Sequence, residues 1–356
     1  MTAPRLEIRL DRIRHNAEVL VGRLSAKGIS VTGVTKAMSG CPAVARELVA
    51  AGITTLGDSR IENIERMRAA GVTAEMILIR SPMPSHAARV VRAADTSLNT
   101  EVEVVGALSA AASAAQRRHG VVLMVELGDL REGILPVDLH AAVEQVLGLP
   151  HIDLRGIGTN LACQSGASPD ARNMGELSTL ATSIEAAFGI HLAVVSGGNS
   201  ANLDWALSTA DPGRIDDLRL GESILLGCET LERRTIPGLH TDAFALVAEV
   251  IESKVKPTQP WGAINQAAFG AAVATGDERK SARRVIVAIG QQDVDPLGLV
   301  PPEGMRVLGA SSDHMVLDPG TVSPPVGAEL RFGVDYSALL RAMTSPFVAK
   351  VVVEVD

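Results

Sequence analysis

The chain has 356 residues, a formal net charge of −8 and a hydrophobic fraction of 46% with only 2% aromatics. That length admits two domains or one large barrel with an addition, and a core so poor in rings must be built from Ala, Val, Leu and Ile, as in α/β proteins that pack small helices on branched strands. The acidic charge is spread along the chain with no basic patch, which argues against a nucleic-acid partner, and Cys41, Cys163 and Cys228 are scattered without a CxxC pair, which argues against a disulfide framework or a zinc site.

Leu6, Ile8 and Leu10 alternate with Arg5, Glu7 and Arg9, so the chain is expected to open with a half-buried strand. Asp11 then reads as an N-cap, and Ile13, Ala17, Leu20, Val21 and Leu24 hold one helical face until Gly28. Pro42 opens a second helix that stops at Gly52. Strand-like beats recur at 30–36, 53–57, 76–80, 94–98, 121–127, 154–159, 192–197 and 216–220, separated mostly by Ala- and Leu-rich helical stretches. Eight such beats predict an α/β fold, a (β/α)8 TIM barrel over residues 1–235, with a doubly wound open sheet as the alternative. Past Arg234 the helical periodicity fades. Strand candidates follow at 243–252, 284–290, 305–310, 314–318 and 347–355, the last with Phe347, Ala349, Val351, Val353 and Val355 on one side. Residues 236–356 are therefore expected to form a C-terminal, mainly antiparallel β domain, with Asp277-Glu278-Arg279-Lys280 as a solvated loop.

In a barrel of this kind, chemistry sits where strands end and βα loops begin. Lys36 stands at such an end, after the apolar run Ile29–Thr35, and so do Arg80, Arg131, Asn160, Ser196 and the Arg219–Gly221 segment. A lysine at the end of a buried strand is poorly hydrated, its charged form is disfavoured, and free amine becomes available for a Schiff base with an aldehyde. Judged alone, it is better read as the solvated end of a strand. The loop Ser196-Gly197-Gly198-Asn199-Ser200-Ala201-Asn202 lets backbone N–H groups approach an anion, and the turn Leu218-Arg219-Leu220-Gly221-Glu222-Ser223 offers a second half to such a cup. Neither carries a Walker or GxGxxG pattern. Arg131 is suited to clamp a carboxylate, or alternatively to pair with Glu132 or Asp129 on the surface. Tyr336, the only tyrosine, and Asp293, Asp295, Asp313 and His314 complete the candidates, each also explicable as a rim, turn or cap residue.

Taken together these motifs resemble the fold-type III pyridoxal-phosphate enzymes, and within them the amino-acid racemases. Gly33-Val34-Thr35-Lys36 resembles the segment whose lysine holds the cofactor and acts as a base. Gly128-Asp129-Leu130-Arg131-Glu132-Gly133 resembles the Gly-Met-x-Arg-x-Gly motif, whose arginine binds the substrate carboxylate and the ring oxygen. Ser200 falls at the phosphate-binding serine, Arg219-Leu220-Gly221 on the Arg-Pro-Gly motif that faces the pyridine nitrogen and cradles phosphate, and Asp335-Tyr336 on an Asn-Tyr that reaches the phosphate. The resemblance implies pyridoxal 5'-phosphate held by Lys36, Arg131, Asn160, Ser200, Arg219, Gly221, Glu222 and Tyr336. It implies a substrate site that includes Arg131, Ser312 and Asp313, and no metal site.

The departures are specific. Alanine racemases carry a Gly-Tyr-Ala-Asp-Gly loop whose tyrosine is the second base from the partner subunit; here the loop reads Gly290-Gln291-Gln292-Asp293-Val294-Asp295. Met124 and Asn160 replace a lysine and a histidine common there. Gly57-Asp58-Ser59-Arg60-Ile61-Glu62-Asn63, Gln292-Asp293-Val294-Asp295 and Gly309-Ala310-Ser311-Ser312-Asp313-His314 resemble the ornithine racemase branch, although the acidic residue typical of that branch near Ala267 is missing. The expected activity is two-base racemisation of a free amino acid, ornithine or another basic or polar one. Lys36 serves one face and Asp293, Asp295, Asp313 or His314 the other, while Arg219 weakens the electron sink and suppresses transamination. A head-to-tail homodimer with shared sites is implied. A fold-type III lyase or decarboxylase, or a non-catalytic cofactor-binding protein, is the alternative. With no signal-like leader and no run approaching the roughly 18 apolar residues of a membrane span, a cytoplasmic protein with neither membrane nor nucleic-acid partners is expected.

Overall fold

In the computed structural model the chain opens with strand β1 (Arg5–Ile8). Eight strands follow, each succeeded by a helix: β2 (Ser30–Val34), β3 (Thr55–Asp58), β4 (Glu75–Leu78), β5 (Thr96–Asn99), β6 (His119–Met124), β7 (Ile152–Gly158), β8 (Val194–Ser196) and β9 (Asp217–Leu220). The structure describes residues 2–263, 265, 269 and 279–353, so Asp277, Glu278, Ala267 and Val355 lie outside the described residues. Strands β2 to β9 close into a barrel in sequence order, every pairing parallel. The expected (β/α)8 barrel is thus formed, and the open-sheet alternative is not.

Local chemistry explains its edges. The longest barrel helix, Ala171–Phe188, starts in a capping box, with Asp170 accepting from Arg172 N and Asn173 N while Asn173 Oδ1 accepts from Asp170 N, and it ends at Gly189 in the left-handed conformation. Gly156 lets β7 and β8 approach, because a Cβ there would lie 1.8 Å from the Val194 carbonyl oxygen. Inside the barrel Ile77, Leu98, Val122 and Met124 form an apolar cluster. Ile77, Leu98 and Val122 share a cavity of about 80 Å³ with the polar Thr32, Thr55, Thr96, Ser196, Asp217 and Arg219, unlike the layers of branched side chains that usually fill such barrels.

The chain divides into two units, Asp11–Thr241 and a second made of the first ten residues with everything from Asp242 onward. The second unit is a sheet built on the 14-residue strand β10 (Phe244–Pro257), together with β11 (Ser281–Val287), β12 (Leu299–Val300), β13 (Arg306–Ala310), β14 (Met315–Asp318), β15 (Glu329–Val334) and β16 (Ala349–Val352). Its spatial order is β12-β15-β10-β11-β14-β13, and β1 joins it between β10 and β16, parallel to the latter. Two expectations change here. The dividing point falls at 241/242, with β1 in the β unit, not at 235/236 with β1 in the barrel. And β1 is buried on both faces, because Arg5 donates twice to Glu329 (2.6 and 2.7 Å) and once to Glu7 (2.9 Å), so the charges expected to face water are neutralised inside. Strand β15 was not anticipated. Its signal was present, since Leu330 and Phe332 are buried between the exposed Glu329 and Arg331. Of the residues expected on one side at 347–355, Phe347 is 70% exposed, and β16 is largely exposed.

Candidate active site

The loops at the C-terminal ends of β2 to β9 bring most of the expected residues into the barrel unit. Lys36 follows β2 directly and starts a one-turn 3-10 helix, Lys36–Met38. The strand end is fixed from β3: Thr35 N–H donates to Gly57 O (2.9 Å) and Thr35 Oγ1 to Asp58 Oδ2 (2.7 Å). Asp58 is fully buried and also accepts from Arg60 N and Asn63 Nδ2, both at 2.9 Å, so the Gly57–Asn63 segment is a bracket for the Lys36 turn. Burial pushes the Lys36 amine below the ordinary lysine range; Cys163 and Asp58 pull it back, and the Arg131 and Arg219 charges push it further down. Burial likewise raises the Asp58 carboxyl, against its hydrogen-bond donors.

Arg219 is 5% exposed on β9. Its Nη1 donates to Ser196 Oγ (2.5 Å) and its Nη2 to Thr159 O (2.7 Å). Beside it, Gly221 N and Ser223 N point at Ser200 Oγ (3.4 and 3.3 Å), and the Ser200 and Ser223 hydroxyls lie 3.1 Å apart. These small donors converge on one point of the rim. Gly221 eases the approach there, because a Cβ would press on the Val34 Cβ and carbonyl oxygen at 3.1 and 3.2 Å, two residues before Lys36. Asn199 caps the turn that presents Ser200 and donates through Nδ2 to Asn160 Oδ1 (3.0 Å) and Cys163 Sγ (3.3 Å). Asn160 Nδ2 is buried without an acceptor among the described residues.

Arg131 is paired with its neighbour Glu132, the surface alternative left open above, yet its charge still acts on Lys36. Its loop is latched by the buried Asp129, which accepts from Gln164 N (3.0 Å) and Ser165 N (3.1 Å), tying it to the segment that carries Cys163. The Glu222 carboxylate is paired with Arg233.

The remaining candidates belong to the β unit. Asp293 is buried and accepts from Ser345 Oγ (2.6 Å). Asp295 caps the turn at Leu297 and accepts from Ser337 Oγ (2.6 Å). Both carboxylates therefore have hydrogen-bond partners within the β unit. Asp313 and His314 are exposed and bonded to each other, His314 Nδ1 to Asp313 Oδ1 at 2.8 Å, and the histidine holds the aspartate below the ordinary carboxylate range. Ser312 Oγ donates to the same oxygen (3.3 Å). Tyr336 begins the helix Tyr336–Thr344 behind the N-cap Asp335. Sequence reasoning singled out neither Cys163 nor Asp217, and it quoted Asp58 and Ser223 only within longer segments. The spacing of Asp217 two residues before Arg219 was a usable signal, because it puts both on one strand face.

The profile of the family described as alanine racemase, N-terminal domain, matches residues 8–227. The chain is 39% identical to the lysine racemase of Thermotoga maritima over 99% of both chains. It is 35% identical to the ornithine racemase of Acetoanaerobium sticklandii over 98% of this chain and 99% of that one. The crystal structure of alanine racemase from a D-cycloserine-producing Streptomyces lavendulae superposes with a TM-score of 0.79 at 21% identity, covering 99% of this chain and 98% of that one. With a profile matching more than half of its length and relatives aligned from end to end, the chain belongs to the alanine racemase family of amino-acid racemases.

Proposed function

We propose that the protein interconverts the L and D forms of a free basic amino acid, lysine or ornithine, using pyridoxal 5'-phosphate. The observation that carries this reading is the desolvated Lys36 amine, set among Arg131 and Arg219 in a barrel whose rim also carries the Ser200–Gly221–Ser223 donor cluster. The relatives that align end to end with this chain are named for lysine and ornithine, which supports the substrate class. The residues fit the cofactor. Lys36 supplies the amine for its aldehyde, the convergent small donors suit a phosphate, and Asn160 Nδ2 is a buried donor still lacking an acceptor. Arg219 would face the ring nitrogen.

When bound, the cofactor supplies an electron sink for the pair left behind as the Cα–H bond breaks. Lys36 Nζ takes or returns the α-proton on one face; burial and the two arginine charges keep it neutral enough to accept. Arg219, permanently charged, keeps a proton off the ring nitrogen and so restrains transamination. Arg131 engages the substrate carboxylate once Glu132 gives way. On the other face His314 is the acid/base, oriented by Asp313, and Ser312 lies beside the pair. Tyr336 would reach the phosphate and Glu222 would steady the cup. The β unit of a head-to-tail homodimer would supply His314 to the partner's barrel. None of the helices among the described residues is long and apolar enough to cross a membrane, which is compatible with a cytoplasmic enzyme.

Borohydride reduction of the yellow, cofactor-loaded protein followed by peptide mapping tests the assignment. A pyridoxyl group on Lys36 is expected, and active protein reduced without modifying Lys36 would rule it out.

A further inference from the structure

We infer that Asp217, acting through the Ser196 hydroxyl, is the positioning residue that holds the Arg219 guanidinium in place. The inference rests on the proposed placement of Arg219 against the cofactor ring. Three neighbouring strands build the relay. Asp217 and Arg219 are two residues apart on β9, so both face the barrel interior, while Leu218 and Leu220 face outward and are fully buried. The parallel register sets Ser196 of β8 opposite Asp217 and Thr32 of β2 opposite Arg219.

The direction of the hydrogen bonds follows from the groups present. A guanidinium only donates, so Ser196 Oγ accepts from Arg219 Nη1 (2.5 Å). The single hydroxyl hydrogen of Ser196 is then left for Asp217 Oδ2 (2.5 Å). Thr32 Oγ1 donates to the other oxygen, Oδ1, at 2.8 Å. Both carboxylate oxygens therefore accept, as an ionised carboxylate does. Burial disfavours the charge on each partner, and their mutual attraction opposes that effect without cancelling it. The cavity of about 80 Å³ that both line is large enough for water and also carries Thr55, Thr96 and Arg155 as polar partners. Interposing a hydroxyl has a consequence that a direct ion pair would lack. One Nη goes to Ser196 of β8 and the other to the Thr159 carbonyl just past β7, so the plane of the guanidinium is set from two sides.

The test uses the full-length, cofactor-loaded protein with the single variants Ser196→Ala, Asp217→Asn and Arg219→Ala and the double variant S196A/D217N. The absorption spectrum of the bound cofactor, kcat and KM for racemisation, and keto acid released as a side product are measured for each. Ser196→Ala and Asp217→Asn are expected to shift the spectrum and raise keto-acid release. They should lower kcat about tenfold to a hundredfold, with KM within about twofold. Because the two residues act in series, Asp217→Asn in the Ser196→Ala background should cost no more than about a further twofold. Wild-type spectra and kcat in both single variants, with Arg219→Ala altered, would overturn the inference, as would fully multiplicative losses in the double variant. Arg219→Ala with an unchanged spectrum would instead overturn the placement of Arg219 at the cofactor. If Asp217→Asn fails to fold, the Ser196→Ala spectrum and partition decide alone.

Discussion

Lys36 owes its chemistry to its neighbours. Burial is the largest influence on its amine, the Arg131 and Arg219 charges add to it, and Cys163 and Asp58 oppose it. Removing Asp58's charge with Asp58→Asn should therefore lower the Lys36 pKa further, read as an acid shift in the pH dependence of inactivation by an amine-directed reagent. Unchanged or alkaline-shifted inactivation would contradict the coupling. At the proposed phosphate cup, Gly221→Val adds a branched side chain where even a Cβ meets Val34 at 3.1 Å, and should weaken cofactor binding by about tenfold, roughly 1.4 kcal/mol. Equilibrium dialysis of pyridoxal phosphate checks this. How much of the site could be read in advance depended on the kind of signal. Lys36, Ser200, Arg219 and Gly221 sit in short runs at strand ends, where order along the chain nearly equals order in space. Asp58 and Asp217 act through partners on neighbouring strands, 23 residues away for Thr35 and 21 for Ser196, and such pairings exist only once the barrel closes. The pairing of Arg131 with the adjacent Glu132 was visible as an alternative but was not decided by sequence.

At the scale of elements, the eight barrel beats were legible because short apolar runs alternate with helical stretches, a pattern that survives without tertiary information. Strand β15 and the buried charges of β1 were not, because Arg5, Glu7 and Glu329 count as surface residues until their ion network is formed. Strands β5 and β6 carry a buried polar pair, Ser97 Oγ to His119 Nε2 at 2.8 Å, and burial lowers the His119 pKa from 6.5 to about 4. The depressed value sets the sign of its contribution. Above pH 6.5 His119 is neutral both folded and unfolded; below it the unfolded chain takes up a proton that the folded protein refuses until about pH 4. Stability attributable to His119 therefore falls as pH drops through this window, by about 2 kcal/mol between pH 7 and pH 5. Urea melts at both pH values should show that loss in the wild type and a smaller one in His119→Gln. Equal losses would contradict it. The Asp129 latch makes a second prediction at this scale. Asp129→Ala strips acceptors from Gln164 N and Ser165 N, so amide exchange in the segment that carries Cys163 should accelerate while that of the barrel strands does not.

For the whole molecule, the proposed chemistry needs groups from both units, Lys36 from the barrel and His314 from the β unit, and a head-to-tail homodimer would pair them across subunits. Lys36→Ala and His314→Gln should then each be inactive alone. Mixed and re-associated, they should regain up to about a quarter of the wild-type activity, since random pairing makes half the dimers mixed and leaves each of those one complete site. No recovery in verified mixed dimers would place both groups in one subunit's site or remove His314 from it. The substrate class is the element of the account least visible in the residues themselves, and it leans on relatives named for lysine and ornithine. The most direct measurement is therefore incubation of the cofactor-loaded protein with L-lysine and L-ornithine, and separately their D forms, in heavy water. The account predicts α-deuterium incorporation and a D/L ratio that converges on one from both directions for at least one of the pair. Bound cofactor with no α-deuteration of either amino acid, or carbon dioxide or an aldehyde released in place of the mirror-image product, would contradict it.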